Sequence, residues 1–296
     1  MAQQWDELLG RYRQYLRLER SLASATVEAY VGDVCKLAEH LRQVPPEEVD
    51  LPLLEDFLRE LRDTGIGLRT QARLVSAIRS FFSFLVMEET IADNPALLLE
   101  LPRTGRKLPE VLTVEEIERI LDAVDLSRPG GHRDRAILEV MYGCGLRVSE
   151  VTTLRISNIF AGEGFVRILG KGSKERLVPI HRRALRAIEL YLTDRRQQET
   201  LPQHSDILFL NLRGHPLSRV YIFQMVKDLA RKAGIQKNIS PHTFRHSFAT
   251  HLMEGGADLR AIQQMLGHES IQTTEIYTHL DKEYLRSTLL DHHPRA

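Results

Sequence analysis

A proline-rich segment, residues 93–110, separates two differently patterned parts of the chain. It contains three prolines and a basic cluster, namely Pro95, Pro102, Pro109, Arg103, Arg106 and Lys107. Proline disfavours helix at its own position and at the residue before it, so this composition is typical of a linker. The sequence therefore predicts an N-terminal domain over residues 1–92, a linker over 93–110 and a second domain over 111–296.

Length and composition agree with two globular domains. The chain has 296 residues, and at roughly 100–200 residues per domain this length suggests two. The apolar fraction of 43% is close to the globular average, which excludes a disordered or fibrous chain. We find no apolar run of the roughly 18 residues that span a membrane, and no signal peptide at the start. The two cysteines, Cys35 and Cys144, cannot build a disulfide scaffold, so we expect the protein to reside in the reducing cytoplasm.

The first ninety residues carry the apolar spacing of helices. A first helix contains the apolar positions from Trp5 to Leu18, and further helices are predicted near 26–42, 52–63 and 68–90. Short loops between them favour a small four-helix bundle. The predicted fold class is therefore mainly α in this domain.

The second domain is predicted to be α+β, mostly helical with a small β-hairpin or sheet. Thr113 and Glu116 have the spacing of a capping box, which predicts a helix start. Residues 165–169 and 176–180 are β-prone, and the glycine-containing segment 170–175 between them permits a tight turn.

Net charge gives a weak indication of the partner. Lys and Arg together equal Asp and Glu at 40 each, although a nucleic-acid-binding protein is expected to be basic. Residues 167–186 form a denser basic run that contains a single acidic residue, Glu175. Its basic residues are Arg167, Lys171, Lys174, Arg176, Arg182, Arg183 and Arg186. Such a run is either a solvated face or a surface that binds polyanions.

Four local patterns in the second domain carry candidate functional residues. In Gly143-Cys-Gly-Leu-Arg-Val-Ser-Glu150, Arg147 and Glu150 share a helix face, so Glu150 can position Arg147. An ordinary surface ion pair is the alternative for these two residues. Lys171 lies in the glycine-flanked turn, where it is either a solvated lysine or a mobile cation that reaches into a cleft.

The third and fourth patterns lie near the end of the chain. Ser240-Pro241 predicts a helix start, which places His242 and Arg245 on one face near a positive helix end that suits a phosphate. Gly267 resembles the residue that ends a helix over about 258–266. His268 follows it, and Tyr277 lies on the next short helix, where the plainer interpretation is a half-buried tyrosine.

Two other histidines, His246 and His251, are expected to pack locally. The sequence contains no His-Glu-x-x-His motif and no cysteine partner, so no metal is expected. We also find no glycine-rich phosphate loop, and therefore expect no nucleotide cofactor.

Together these patterns resemble the tyrosine recombinases, also called the phage-integrase family. Six residues occur in the order and approximate spacing of that family's catalytic set: Arg147, Lys171, His242, Arg245, His268 and Tyr277. The resemblance spans nearly the whole chain and is strongest to the Xer type, because Gly-Lys-Gly-Ser-Lys-Glu-Arg-Leu-Val-Pro and Leu-Gly-His-Glu-Ser-Ile-Gln-Thr-Thr-Glu-Ile-Tyr are both Xer-like. The ending, residues 292–296, favours one Xer branch. Asn158 replaces an aspartate that Xer proteins often have, which we interpret as a local packing difference.

The resemblance implies a two-domain recombinase, with a helical, SAM-like core-binding domain followed by a catalytic domain and a C-terminal exchange helix. It implies that Tyr277 attacks a DNA phosphate and expels a 5′-hydroxyl, leaving a 3′-phosphotyrosyl bond. Arg147 and Arg245 would clamp the phosphate, and His242 would be the base. His268 would donate a hydrogen bond, and Lys171 would protonate the leaving oxygen. Neither metal nor ATP is needed for this chemistry.

The resemblance also implies partners. Double-stranded DNA is the substrate, and candidate contacts besides the six residues are Arg103, Arg106, Lys107, Lys174, Arg176, Arg219 and Tyr221. Four protomers are expected on two sites, either copies of this chain or with a second Xer recombinase, and a DNA translocase is a possible activator. Resolution of chromosome dimers at a dif-like site is the expected role in the cytoplasm, associated with the nucleoid. A mobile-element integrase and a non-catalytic DNA-binding protein with this fold remain alternatives.

Overall fold

The computed structural model describes residues 2–102, 110–170, 175–267 and 279–296. The chain divides into two compact units, Met1–Lys107 and Leu108–Ala296, each with its own apolar core. Within the described residues, none of the helices is both long and apolar enough to cross a membrane.

The first unit is built from helices near the positions that the apolar spacing predicts. They are α1 (Ala2–Leu18), α2 (Ser24–His40), α3 (Leu51–Asp63) and α4 (Leu68–Met87). Asp50 begins α3 by accepting a hydrogen bond from the backbone N–H of Leu53 at 3.0 Å, which supplies the helix with an N-cap.

Aromatic rings fill the centre of this unit. Phe81 of α4 stacks on Trp5 at 5.7 Å between ring centroids and meets Tyr12 edge-on at 5.3 Å. All three side chains are at most 2% exposed. Aromatic pairs in such geometries contribute about 0.5–1.5 kcal/mol beyond their buried area, so this cluster holds α1 to α4.

The start of the predicted linker packs on the first unit. The Arg79 guanidinium of α4 donates to the backbone carbonyls of Ala96, Leu97 and Leu99. Ala96 and Leu99 are themselves buried in the core of the unit. Satisfying several carbonyls with one guanidinium gives this non-helical segment a defined path along α4.

The second unit is mainly helical, as expected. Its helices are α5 (Val114–Asp122), α6 (Gly131–Gly143), α7 (Val148–Thr152), α8 (Arg182–Arg195), α9 (Arg219–Lys232), α10 (Pro241–Glu254), α11 (Leu259–Leu266) and α12 (His279–His292). The predicted capping box of α5 is confirmed, since the Thr113 hydroxyl accepts from the Glu116 N–H at 3.2 Å. The Glu116 carboxylate in turn accepts from the Thr113 N–H at 2.8 Å.

A small antiparallel sheet accompanies these helices. Its strands are β1 (Ile159–Phe160), β2 (Phe165–Leu169) and β3 (Glu175–Pro179), in the order β1-β2-β3. The predicted hairpin of β2 and β3 is confirmed, with Phe165 opposite Pro179 and Leu169 opposite Glu175. The sequence did not predict β1, because two residues are too few to show an alternating pattern.

Asn158 has the packing role that the sequence suggested. It is buried, and its side-chain oxygen accepts from Nε and Nη2 of Arg167 at 3.1 and 2.9 Å. The amide therefore links the turn before β1 to strand β2.

Helix α6 lies in the centre of the second unit. It is buried on nearly all sides, and α8 and α10 pack against it. Its C-terminal end leads directly into the chain that carries Arg147, so the rigid interior of the unit positions the candidate site.

Candidate active site

Arg147 and Glu150 meet as their spacing predicted. Arg147 is the N-cap residue of α7, and its Nη1 donates to Glu150 Oε1 at 3.0 Å. The Arg147 backbone N–H also donates to Glu150 Oε2 at 2.8 Å. The Arg147 side chain is 37% exposed and that of Glu150 only 4%, so the carboxylate anchors an arginine that still reaches solvent.

A glycine just before Arg147 allows close packing. Gly145 has φ +59°, in the left-handed region that favours glycine. A Cβ atom there would collide with the Phe248 ring of α10 and lie 3.1 Å from Leu266 Cδ2. The absence of a side chain therefore lets the Arg147 segment approach α10 and the end of α11.

Arg245 projects from α10 into the same region. Its Nη1 donates to the Gly145 carbonyl at 2.7 Å, and its Nη2 donates to the Leu266 carbonyl at 2.6 Å. Burial, with a smaller contribution from the charge of Arg147, lowers the pKa of Arg245 to about 10. The guanidinium therefore stays charged at neutral pH, although it is only 9% exposed.

Both arginines converge on the end of α11. Arg147 Nη2 donates to the Gly267 carbonyl at 3.2 Å, one residue beyond the Leu266 carbonyl that Arg245 contacts. Among the described residues, each guanidinium gives two of its five N–H groups to the protein. The remaining donors can bind an anion in the two-pronged geometry that arginine offers to phosphate.

Arg176 corrects one prediction. The sequence suggested that Arg176 contacts DNA, but the residue is only 6% exposed at the start of β3. Its Nη1 and Nη2 donate to the two oxygens of Glu150 at 2.7 and 2.9 Å. Burial favours the neutral form of Glu150, but Arg176 and Arg147 outweigh it and hold the pKa of this carboxyl below its ordinary value. Arg176 is thus part of the scaffold of the site.

Histidines lie on both ends of α10. His242 is exposed in its first turn, beside the buried Arg245. His251 lies in the last turn, where the Tyr142 hydroxyl is 2.7 Å from its Nδ1. The expectation that His251 packs locally is therefore confirmed, because it is 5% exposed and joins the interior at α6.

Several predicted site residues lie outside the described residues. They are Arg103, Arg106, Lys107, Lys171, Lys174, His268 and Tyr277. His268 follows Gly267 directly in the sequence, so it is one peptide bond away from the carbonyl that Arg147 contacts.

The two predicted DNA contacts of α9 have different surroundings. Arg219 is exposed in the first turn of α9. Tyr221 is half-buried: its hydroxyl donates to Asp134 at 3.2 Å and accepts from Arg133, whose guanidinium covers the ring at 4.9 Å. The Tyr221 hydroxyl is therefore engaged by Asp134 and Arg133, and a contact of Tyr221 with DNA stays a prediction.

Sequence reasoning missed the buried ion pairs behind these residues. Asp134 is fully buried and pairs with Arg128 and Arg133, while Arg133 also donates to the Leu210 carbonyl at 3.1 Å. The one available signal was the run of charges at the start of an otherwise apolar helix, which suits a solvated helix end equally well.

Comparison with known proteins identifies the class of protein that this fold and site form. Residues 110–284 match the Phage integrase family, and residues 9–89 match the phage integrase N-terminal SAM-like domain. The chain belongs to the phage integrase family, the tyrosine recombinases.

Relatives over the full length specify the type. The tyrosine recombinase XerD of Staphylococcus aureus (strain N315) is 40% identical over 294 residues, covering 98% of this chain and 100% of the relative. The tyrosine recombinase XerD of Chlorobaculum tepidum is 44% identical over 297 residues, covering 99% of this chain and 98% of the relative. The chain is thus a Xer-type site-specific recombinase.

Solved structures agree with this assignment. XerH bound to palindromic difH substrate, in a post-cleavage complex, has a TM-score of 0.72 at 26% identity, covering 90% of this chain and 80% of XerH. XerA is 30% identical with a TM-score of 0.51, covering 98% of this chain and 100% of XerA. A lambda integrase dimer on a core site shares the fold, with a TM-score of 0.71 at 20% identity, covering 92% of this chain and 98% of that one.

Proposed function

We propose that this recombinase cuts and rejoins duplex DNA at a dif-like site through a 3′-phosphotyrosyl intermediate, and so resolves chromosome dimers. The observation that carries the proposal is the convergence of Arg147 and Arg245 on the carbonyls of Leu266 and Gly267. Both guanidiniums keep N–H donors that no described residue accepts, and both contact carbonyls just before His268 in the chain. Such a pair suits a phosphate that gains charge during reaction.

The relatives support DNA as the substrate. XerH was solved on difH DNA both before and after cleavage, at 26% identity to this chain in each case. The XerD relatives match over the full length of both chains. By this similarity we expect action on the bacterial chromosome, in the cytoplasm and associated with the nucleoid.

In the proposed reaction, Tyr277 Oη forms a bond to the phosphorus and the bond from phosphorus to the 5′-oxygen breaks. A tyrosine with a pKa of about 10 is a weak nucleophile at neutral pH, so a base must take its proton. His242, exposed beside Arg245, is proposed as that base. Lys171 supplies a proton to the departing 5′-oxygen, and His268 donates a hydrogen bond to a phosphate oxygen.

The arginines stabilise the transition state by charge. Arg147 and Arg245 donate to the non-bridging oxygens as the negative charge on the pentacoordinate phosphorus grows. The phosphotyrosyl ester retains the energy of the broken bond, so the new strand is joined by the reverse attack without ATP.

Binding is proposed to use basic residues around this centre. Arg103, Arg106 and Lys107 are expected to contact phosphates as a strap, together with Lys174 and the exposed Arg219. Arg176 is omitted from this set because its donors are engaged internally, whereas Tyr221 stays a candidate contact whose hydroxyl already binds Asp134.

We further propose a tetramer on two DNA sites, formed with copies of this chain or with a second Xer recombinase and activated by a DNA translocase. Helix α12 would be exchanged between neighbours. In the single chain α12 packs on its own unit, with Leu285 and Leu289 each 1% exposed. Beyond it, Arg295 pairs with Glu139 at 2.7 Å. Exchange therefore requires that these contacts open or are replaced by equivalent ones.

The proposal is tested with a nicked suicide duplex that carries a dif-like site, incubated in EDTA and analysed on a denaturing gel. The wild-type protein should form a slowly migrating covalent adduct, and the Tyr277→Phe variant should form none because it lacks the attacking oxygen. Binding of both proteins is measured by band shift on the same duplex, so that loss of the adduct is separated from loss of binding.

A scrambled duplex of equal length is the control for site choice. Adducts on the dif-like site alone support the chromosomal role, whereas equal adducts on both duplexes contradict it. Binding without an adduct leads to a second reaction with a partner Xer recombinase added. Absence of an adduct there as well would contradict catalysis and leave a DNA-binding protein.

A further inference from the structure

We propose that Arg176 is a positioning residue of the recombinase, which sets the geometry of Arg147 through Glu150 and joins it to the end of α11. The inference rests on the proposed strand-transfer function. It assigns a role within that site to a residue that would otherwise be counted among the DNA contacts.

All three guanidinium nitrogens of Arg176 donate hydrogen bonds to protein groups. Nη1 and Nη2 bind the two oxygens of Glu150 at 2.7 and 2.9 Å, and Nε donates to the Met265 carbonyl at 2.8 Å. The side chain is 7% exposed. A DNA phosphate cannot reach these three donors without breaking a buried ion pair.

Glu150 transmits this geometry to Arg147. Its two oxygens accept four hydrogen bonds, two from Arg176 and two from Arg147. A carboxylate has about four acceptor positions, so all of them are used and the carboxylate cannot rotate freely. Fixing Glu150 therefore fixes both the backbone N–H and the guanidinium of Arg147.

Arg176 also contacts the chain that leads to His268. The Met265 carbonyl lies in the last turn of α11, which Gly267 ends with φ +65°. A Cβ at Gly267 would lie 3.0 Å from Arg176 Cδ, so the Arg176 side chain passes directly under this turn. One guanidinium thus joins α7, β3 and α11. In the sequence, Lys171 and Lys174 lie just before β3, and His268 lies just after α11.

A lysine cannot reproduce this arrangement. Lysine is a compact point charge, whereas the planar fork of arginine binds both oxygens of a carboxylate and still donates from Nε. Arg176→Lys therefore keeps a positive charge beside Glu150 and removes the geometry. This makes it a sharper test than truncation, which would leave a buried carboxylate with one partner fewer.

The experiment measures three quantities for wild type and for R176K on the nicked dif-like duplex. They are the single-turnover rate of adduct formation, the dissociation constant with its salt dependence, and the temperature of unfolding. We expect the adduct rate to fall by about 10–100-fold, because small misplacement of a catalytic group has effects of this size. The dissociation constant should change less than about twofold, with an unchanged salt slope.

A matched control removes an arginine that is paired on the surface. Arg186, 70% exposed and paired with Glu189 at 3.1 Å, is changed to lysine. R186K should leave all three measurements close to wild type. This control variant shows how much an arginine-to-lysine change at the surface of this unit alters the adduct rate, the dissociation constant and the unfolding temperature.

A second pair of variants separates positioning from a general loss of stability. If Arg176 acts through Arg147, R176K should lower the adduct rate by less than about threefold in an R147K background, although it lowers this rate far more in wild type. A purely structural defect would lower the adduct rate by the same factor in both backgrounds.

The outcomes distinguish this inference from the proposed function. An adduct in wild type with an unchanged adduct rate in R176K overturns the positioning role and leaves the function standing. A dissociation constant for R176K raised by more than about twofold, with an adduct rate at saturating protein equal to wild type, would instead make Arg176 a phosphate contact, which also overturns it. If the wild type forms no adduct, with or without a partner recombinase, the proposed function itself is contradicted.

Discussion

The two units use their interiors differently. The first is held by aromatic packing around Phe81, and among its described residues Asp33 stands out as a buried charge, paired with Arg73 at 2.8 Å. The second unit buries many charged groups. These include Arg133, Asp134, Glu139, Glu150, Arg176, Arg245 and Arg295.

The difference teaches where geometry matters most. Apolar packing gives stability with broad tolerance, whereas a buried ion pair must recover a large desolvation cost through well-aligned hydrogen bonds. The second unit accepts that cost beside the candidate active site, where Glu150 and Arg176 hold an arginine that reaches solvent. Three predictions test whether this contrast is real.

The largest effect is expected from breaking a buried ion network in the second unit. Asp134→Ala leaves Arg133, which is 4% exposed, without its carboxylate. Removing one partner of a buried pair costs about 3–5 kcal/mol, so the free energy of unfolding should fall by that amount in urea titration. Asp134→Asn, which keeps the shape and one acceptor, is the control and should lose less. An equal and small loss in both variants would contradict the importance of the buried charge.

The next effect is expected in the first unit. Phe81→Leu removes about three carbons from the aromatic cluster, and at about 0.8 kcal/mol for each we expect a loss of about 2–3 kcal/mol. An exposed leucine of the same unit, Leu18, gives the control Leu18→Ala, which should change stability little because Leu18 is 72% exposed. A loss for Phe81→Leu that exceeds the loss for Asp134→Ala would reverse the comparison.

The smallest effect depends on pH and concerns buried histidines of the second unit. Burial lowers the pKa of His181 to about 4 and that of His293 to about 3. His181 Nδ1 accepts from the Ala184 N–H at 3.2 Å and His293 Nδ1 from the Arg295 N–H at 3.2 Å, so both rings fold in the neutral form.

Because these folded-state values lie below the unfolded value of about 6.5, the unfolded chain binds more protons between pH 6.5 and about 4. Stability is therefore complete above pH 6.5 and falls as the pH is lowered, by about 1–2 kcal/mol per histidine at pH 5. His293→Gln should reduce this loss in thermal unfolding measured from pH 7 to pH 5. The control His215→Gln, at an exposed residue, should leave the slope unchanged. An identical slope in both variants would contradict the assignment to His293.

Much of the fold could be predicted from local sequence patterns. Thr113 and Glu116 predicted the start of α5, and the glycine turn predicted the hairpin of β2 and β3. The spacing of Arg147 and Glu150 predicted their contact, although it forms between the N-cap and N3 positions of α7 and not along one helix face. The partners of Arg176 and Tyr221 were not accessible, since Glu150 is 26 residues from Arg176 and Asp134 is 87 residues from Tyr221.

The sequence by itself determined the helices, the hairpin and the family resemblance, because each depends on residues within a few positions of one another or on a specific order of motifs. Tertiary structure alone decided which basic residues belong to the scaffold and which remain at the surface. Arg176 and Arg219 look alike in a sequence, yet one lies under the last turn of α11 and the other is exposed on α9. Burial and the partner of a charge are set by how distant segments pack, and no local pattern encodes that distance.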